Sequence, residues 1–528
     1  MSQTRGWVGA LAALLIAGLS PWASPAGAAA SQDQAARTEA PKARVEDGVV
    51  VGVAQGAAAV FRSIPYAAPP VGAARWRPPG PVRPWTGERA ADTPGPACPQ
   101  AVPAGGVPNG GGYTGPTSED CLTLDVTAPL GSGTGGTWAR RGAKAPVMVW
   151  IPGGGNVFGA ANVPSYDAVN FARDGVIIVT LNYRLGALGF FAHPALTAEA
   201  PATQPLVNYG LMDQIAALKW VKRNIAAFGG DPDNVTLFGE SAGGGDTLAL
   251  LSIPGNKGLF QKAIVESGGG WDHPATLAQR EAQGADLATR LGLPGASATA
   301  AQLRALPADQ LIVWAGGVAQ DGRLLTETPT QAFARGHALD VPLIIGSNSN
   351  EASLLRAFGL NAGAARLSPE LRQVYAAEAA TDADLARVNF NDHAMGAPAR
   401  WIAARASSGA KAWLYYFSYV PERQRQSRPG TNHASEIPFV FDSLDAVPGR
   451  TPLITPSERA TAALAHSCWI GFAKTGAPVC AGGQAWPAYV PGTDELLEFG
   501  AESGVRQHFR KAQLDAQEKA EGDLIGGP

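Results

Sequence analysis

Six short segments between Val147 and Tyr419 are apolar along almost their whole length. They are Val147–Ile151 (VMVWI), Val176–Tyr183 (VIIVTLNY), Val235–Gly239 (VTLFG), Ala263–Glu266 (AIVE), Val341–Gly346 (VPLIIG) and Ala412–Tyr419 (AWLYYFSY). A strand with one wet face alternates polar and apolar residues, so a strand that is apolar throughout has to be covered on both faces. Helical patterns separate the six. In Leu211–Phe228, the residues Leu211, Ile215, Leu218, Val221 and Ile225 recur every three or four positions and form one apolar face, and Gly229-Gly230 ends it. This alternation predicts an α/β fold: a central, mostly parallel sheet with helices on both faces. Hydrophobic residues are 45% of the 528 and charged residues 16%, against about 25% charged in ordinary domains. That composition excludes a disordered chain and fills a large core. The 65 glycines and 42 prolines predict long turns. Among these, Pro103–Thr117 and Leu130–Pro146 read as surface loops within one domain rather than linkers between two.

The segment VTLFG runs directly into Gly239-Glu240-Ser241-Ala242-Gly243, and a helical stretch, Gly244–Leu251, follows. A G-x-S-x-G at a strand-to-helix turn is the setting of a nucleophile elbow, in which the serine oxygen is lifted above the sheet edge. Ser241 is therefore the candidate nucleophile; the competing role is a helix cap. A serine hydroxyl needs a base, and the base needs an orienting acid. In this class of sheet the chain order is Ser, then Asp or Glu, then His. Of the seven histidines, His193 precedes Ser241, and His273 and His337 precede the best acid. His508 lies in the charged C-terminal tail and His466 in a helical pattern. His433 follows a turn-rich loop after the strand AWLYYFSY and is favoured, with His393 and His466 as alternatives. Glu351 stands just beyond the strand VPLIIG and its polar loop SNSN, at the expected carboxyl edge; otherwise it serves the start of a helix near Ala352. Gly153-Gly154-Gly155 directly follows VMVWI. With Ala242, these glycines offer backbone N–H groups to a developing oxyanion.

Trp7–Leu19 is a 13-residue apolar run after Arg5, followed by the small-residue site Ala26-Gly27-Ala28, with Ala28-Ala29-Ala30 as competitor. It is too short to span about 30 Å of hydrocarbon, so residues 1–28 read as a secretory signal and residues 29–528 as one exported domain. Four cysteines suit an oxidising compartment. Local spacing favours Cys98 with Cys121 and Cys468 with Cys480, although four cysteines allow three connectivities. The first bridge closes a loop poor in apolar side chains, so the bridge is expected to supply most of its order. A net charge of −3 without any Lys/Arg block excludes a nucleic-acid footprint. The sequence has no Cys-x-x-Cys or histidine cluster at metal-ligand spacing, and acyl-enzyme chemistry on a serine needs no metal or organic cofactor, so none is expected.

These residues resemble the type-B carboxylesterase/cholinesterase family of α/β-hydrolases over nearly the whole mature chain. The resemblance is carried by Ile64–Gly72 (IPYAAPPVG) with Arg75–Pro79 (RWRPP), by Ser118–Leu122 (SEDCL), by Phe228–Pro232 (FGGDP) running to Gly243, and by His433–Phe439 (HASEIPF). It implies an α/β-hydrolase fold with large insertions forming a gorge, and Ser241, Glu351 and His433 as a triad. It also implies an oxyanion hole of Gly154, Gly155 and Ala242, with Ser267 and Glu240 in support. In relatives the Cys98–Cys121 loop walls the gorge entrance. Several positions depart from the pattern. Pro152 stands where relatives often carry His or Tyr. Asn156 replaces a usual Phe, which implies a more polar wall. Asp246 replaces a small residue. The disulfide loop holds one aromatic, Tyr113, and no Trp, which argues against cation–π recognition of choline esters. The expectation is an exported serine esterase acting on a small-molecule ester. An amidase or carbamate hydrolase with the same triad, or a non-catalytic binding protein of the same fold, are the alternatives. Neither the oligomeric state nor the ester is set by the sequence.

Overall fold

The computed structural model describes residues 40–106, 108–130, 144–271, 274–313, 316–357 and 367–522. The proposed signal segment 1–28, most of the loop 130–146, and His273 lie outside the described residues.

Fourteen strands occur in chain order among the described residues: β1 Lys42–Val45, β2 Gly48–Val51, β3 Val53–Gln55, β4 Ala58–Pro65, β5 Glu88–Ala90, β6 Thr123–Pro129, β7 Ala145–Ile151, β8 Ile177–Leu181, β9 Gly230–Glu240, β10 Lys262–Glu266, β11 Leu343–Asn348, β12 Ala412–Phe417, β13 Glu495–Phe499 and β14 Gly504–Gln507. All six apolar segments are strands, β7 to β12. The main sheet has eleven strands in the order β14-β13-β12-β11-β10-β9-β7-β8-β6-β4-β3. Its seven central members, β7 to β13, are mutually parallel. Antiparallel strands finish both edges: β14 at one, and β6, β4 and β3 at the other. A separate small sheet joins β1, β2 and β5.

Alternate residues of each central strand enter different cores. Val147, Val149 and Ile151 of β7 join a cluster with Leu211, Leu218 and Val221, which lie on the helix Tyr209–Asn224. Met148 and Trp150 face the other way, into a cluster with Phe171, Phe441 and Trp469, the last on the helix Pro456–Thr475. The strands are continuously apolar because both of their faces are dry. The Tyr209–Asn224 helix tightens through Ile225–Phe228 and stops at Gly229, whose φ of 85° is left-handed.

The strand order reverses between β7 and β9: β7 is followed in sequence by β8 on one side, and β9 by β10 on the other. In an open α/β sheet, a crevice forms at such a reversal beyond the carboxyl ends of the strands. The Gly153–Gly155 turn leaves β7 at that point and Ser241 leaves β9.

Both bridges favoured by spacing are formed, Cys98–Cys121 and Cys468–Cys480. The Cys98–Cys121 loop is better ordered than its composition suggests. Asn109 accepts from Gly111 N and Tyr113 N at 3.0 Å and donates to Gln100 Oε1 at 2.7 Å. Gln100 donates to Gly159 O at 2.7 Å. Tyr113 is buried at 4% exposure, and its hydroxyl donates to Pro116 O at 2.7 Å. The expectation that the bridge does most of the ordering is therefore corrected: side-chain hydrogen bonds to backbone share that work.

Candidate active site

The sharp turn after β9 forces Ser241 to φ 56° and ψ −125°, a costly conformation for a side chain with a Cβ. Two bonds hold it there: Ser241 N donates to Glu266 O at 2.8 Å and Gly245 N donates to Ser241 O at 2.9 Å. The flanking glycines are required by contact. A Cβ on Gly243 would sit 2.0 Å from Ile151 O, and one on Gly239 would sit 2.6 Å from Gly243 C. Across the crevice, Gly154, Gly155 and Asn156 have φ of 117°, 62° and 57° in succession. None of the N–H groups of Gly154, Gly155 and Ala242 is spent on another hydrogen bond among the described residues.

The next strands supply the titratable side. Glu351 is fully buried. Its Oε1 accepts from Asn348 N and from Ser267 Oγ, each at 2.6 Å. Its Oε2 lies 2.5 Å from Nδ1 of His433. The loops after β11 and β12 are stitched together by Asn350 N to Thr431 O at 2.8 Å, Thr431 N to Ser349 Oγ at 2.7 Å and His433 N to Ser353 Oγ at 2.9 Å. These bonds hold the imidazole in place over the sheet edge. Its Nε2 lies 3.1 Å from Glu240 Oε1 but makes no aligned hydrogen bond, to Ser241 or to any other group. The structure thus joins His433 to Glu351 directly, and brings it to the elbow through the residue before Ser241.

The other histidines are engaged elsewhere. His466 is buried in the core, with Nδ1 2.7 Å from Val440 O and Nε2 3.3 Å from Asp174. His393 is half-exposed and 3.4 Å from Glu521. His193 caps the helix Pro194–Glu199. His508 follows β14 and its N–H donates to Asp494 O.

Two carboxyl groups that sequence reasoning passed over also converge here. Glu266 precedes Ser267, is fully buried, and accepts from Trp469 Nε1 at 2.8 Å. Glu436 is fully buried and takes the side-chain amide of Asn348. Both are written in the sequence, three residues after His433 and one before Ser267, yet only the sheet register reveals their meeting. Burial pushes Glu266 up to about 8, with the Glu240 charge adding. Burial raises Glu436 well above the ordinary carboxyl range, with Glu240, Glu266 and Glu351 adding. Glu240 is also raised, by burial first; the Glu351 charge adds to this and His433 opposes it. Burial works against the imidazolium of His433, but Glu240 and Glu351 outweigh it, and the imidazole is raised above its ordinary value.

A cavity of about 680 Å³ opens beside Ser241. Its wall includes Gly155, Asn156, Ala242, Asp246, Trp271, Arg280, His393 and Met395. The amide of Asn156 is turned away from a prospective substrate: Nδ2 donates to Asp246 Oδ1 at 3.1 Å, and Oδ1 accepts from Tyr183 OH at 2.9 Å. Among the described residues, none of the Cys98–Cys121 loop is in that wall. Instead Gly110 and Gly111 pack on Phe158, whose N–H donates to Gly154 O at 3.2 Å. The loop therefore backs the glycine turn. Among the described residues no group of three or more His, Cys, Asp or Glu could hold a metal ion.

A model of the carboxylesterase family matches residues 39–517. The chain is 36% identical over 510 residues to the fumonisin B1 esterase of Sphingopyxis macrogoltabida, covering 89% of this chain and 88% of that one. It is 37% identical over 481 residues to the para-nitrobenzyl esterase of Bacillus subtilis (strain 168), covering 86% and 94%. Among solved structures, the carboxylesterase Est55 of Geobacillus stearothermophilus at pH 6.2 superposes with a TM-score of 0.77 at 30% identity, covering 90% of this chain and 99% of that one.

Proposed function

The chain belongs to the carboxylesterase family, has the α/β-hydrolase fold and is a carboxylic ester hydrolase, and from that premise we propose that it works through an acyl-enzyme formed on Ser241. His433 takes the proton of Ser241 Oγ through Nε2 while Oγ attacks the ester carbonyl. Glu351 holds the Nδ1 side of the ring and stabilises the imidazolium. The N–H groups of Gly154, Gly155 and Ala242 receive the oxyanion. The proton then passes to the departing alcohol, and water activated by the same imidazole releases the acid. Nε2 faces Glu240 in the free protein and swings to Ser241 with substrate in place; such bonds commonly tighten only in the Michaelis complex.

The observation that carries this reading is the 2.5 Å contact of Glu351 with His433, placed beside an elbow whose oxyanion donors are unspent. The test is Ser241→Ala, which loses on the order of 10⁴-fold or more in turnover while still folding. Fluorophosphonate labelling of the wild type is lost with it. Turnover within about tenfold of wild type, or an unlabelled wild type, removes Ser241 from the mechanism. A panel of small, bulky, amide and carbamate substrates then sorts the bond hydrolysed.

The proposal includes export. The 13-residue apolar run after Arg5 and two disulfides suit a secreted or periplasmic protein, and among the described residues no helix is long and apolar enough to cross a membrane. N-terminal sequencing of exported material begins at Ala29 or Ser31, and the rest forms a single catalytic domain. Material starting at Met1 in a membrane fraction refutes this.

A further inference from the structure

Pro152, Asn156 and Asp246, three positions singled out in the sequence, fall on one chain of hydrogen bonds. Tyr183 OH, between them, is 2.9 Å from both Pro152 O and Asn156 Oδ1. Asn156 Nδ2 donates to Asp246 Oδ1 at 3.1 Å, and Gln214 Nε2 donates to Asp246 Oδ2 at 2.5 Å. Tyr183, Asn156, Gln214 and Asp246 are 3%, 6%, 0% and 1% exposed. Hydrogen bonds so placed are protected from competition by water, and losing one leaves a buried group unsatisfied.

The chain spans the two halves of the expected oxyanion hole. Asn156 is the residue after Gly155. Asp246 lies one turn beyond Ala242 on the helix Ala242–Leu251. Gln214 anchors that contact from the neighbouring helix Tyr209–Asn224, and Tyr183 anchors it from the end of β8. The glycine turn needs such an anchor. Gly154 and Gly155 carry no side chain to pack, and both have positive φ, so their conformational freedom is large. Oxyanion donors work only when held close to their productive geometry.

We infer that Asn156 and Asp246 are positioning residues that tie the Gly154–Gly155 turn to the Ala242 helix and so hold the oxyanion hole to its working width. This rests on the roles proposed above for Ser241, Gly154, Gly155 and Ala242. Asn156 and Asp246 border the cavity, but the polar atoms of the tether are engaged with one another, so the tether acts on the oxyanion through the backbone beside it. Its loss therefore falls on the transition state rather than on ground-state binding.

The experiment measures kcat and KM on a small ester, and the affinity of an alkylboronic acid that forms a tetrahedral adduct with the nucleophile. It compares Asp246→Asn, Asn156→Asp and the double variant. Asp246→Asn keeps the shape but turns one amide onto another. Asn156→Asp sets two acceptors face to face. In the double variant the polarity is reversed: the new amide donates to the new carboxylate, its carbonyl still accepts from Gln214, and Tyr183 still donates to position 156. Each single variant is expected to lose on the order of tenfold or more in kcat and in boronate affinity, with KM within about twofold. The double variant is expected to recover most of that loss. Single variants within about twofold of wild type in kcat, a loss carried by KM alone, or a double variant no better than the worse single overturns the inference. If a single variant does not fold, Tyr183→Phe removes the far end of the same chain and is expected to cost about fivefold in kcat; unchanged kinetics there also overturns it. A wild type that does not bind the boronate, together with a fully active Ser241→Ala, strikes instead at the acyl-enzyme reading.

Discussion

Ser241 stands between two flanks built from different chemistry. On one side, the ends of β9, β10, β11 and β12 and the loops after them bring a histidine and four glutamates together: Glu240, Glu266, Glu351 and Glu436 around His433. On the other, the end of β7, the helix after Ser241 and the helix Tyr209–Asn224 bring together backbone N–H groups, glycines and neutral amides, with Asp246 bound by two of those amides. The first flank is a problem of protons. Its carboxyls are buried, Glu240, Glu266 and Glu436 are raised, and the state of the imidazole depends on which of them is charged. The second is a problem of shape, since a backbone N–H does not titrate. The two flanks should therefore fail differently: the acid–base flank by moving its pH dependence or losing its charge, and the oxyanion flank by losing rate equally at every pH.

The largest effect that sharpens this contrast is at Glu351. Glu351→Gln keeps the shape but removes the charge on the Nδ1 side of His433, and turnover is expected to fall roughly 10⁴-fold, as for the equivalent change in a serine triad. Steady-state rates near those of wild type at any pH between 6 and 9 break the acid–base assignment.

Next comes Gly154→Ala on the opposite flank. A Cβ there would meet Phe158 O at 2.2 Å on a backbone at φ 117°, so the turn has to move. The expected loss is about 10²-fold in kcat, with a pH profile parallel to that of wild type. A shifted pH profile would merge the two flanks into one.

Glu240→Gln tests the proton side more gently. Glu240 helps raise the pKa of His433, and in the proposed mechanism the imidazole acts only as the free base. Removing the carboxylate lowers the histidine pKa, the free base persists into more acidic solution, and the acid limb of kcat/KM moves to lower pH. A shift of about one unit is about tenfold in rate below the limb. The height of the plateau is not the readout. A limb that stays put or moves upward shows that Glu240 is not charged beside Nε2 in the working enzyme.

The smallest expected effect on catalysis is at the loop behind the glycine turn. Cys98→Ser/Cys121→Ser releases a constraint worth about 3 kcal/mol in the chain-entropy model, so thermal unfolding should come earlier. No described residue of that loop is in the cavity wall, so KM for bulky and for acetate esters should change by the same factor. A selective rise for bulky esters would place the loop at the substrate entrance after all.

Much of this architecture is legible in the sequence. Continuous apolarity in β7 to β12 announced a sheet covered on both faces, because a side-chain period of two leaves no polar positions when both faces are dry. Glycine at Gly239 and Gly243 around Ser241 announced a turn too tight for a Cβ. The paired spacing of the cysteines announced local bridges. The edges were not legible. β6, for example, alternates half-buried and buried residues and includes Asp125 and Pro129, so it lacks the signal that marked the centre.

What the sequence determined by itself is whatever a local period or a single turn can encode: strand, helix, elbow, glycine turn and short-range bridge. What only the tertiary structure decided is which distant side chains share one small volume. Asn156 and Asp246 looked like unrelated departures until the register of β7 against β9 set them in contact across 90 positions. Glu266 and Glu436 carry no signal of their own in the sequence; they meet only because β10, β11 and β12 align their ends behind His433. The physical reason is that burial and hydrogen-bond partnership are properties of a neighbourhood. In a parallel sheet, that neighbourhood is assembled from strands that the chain visits far apart.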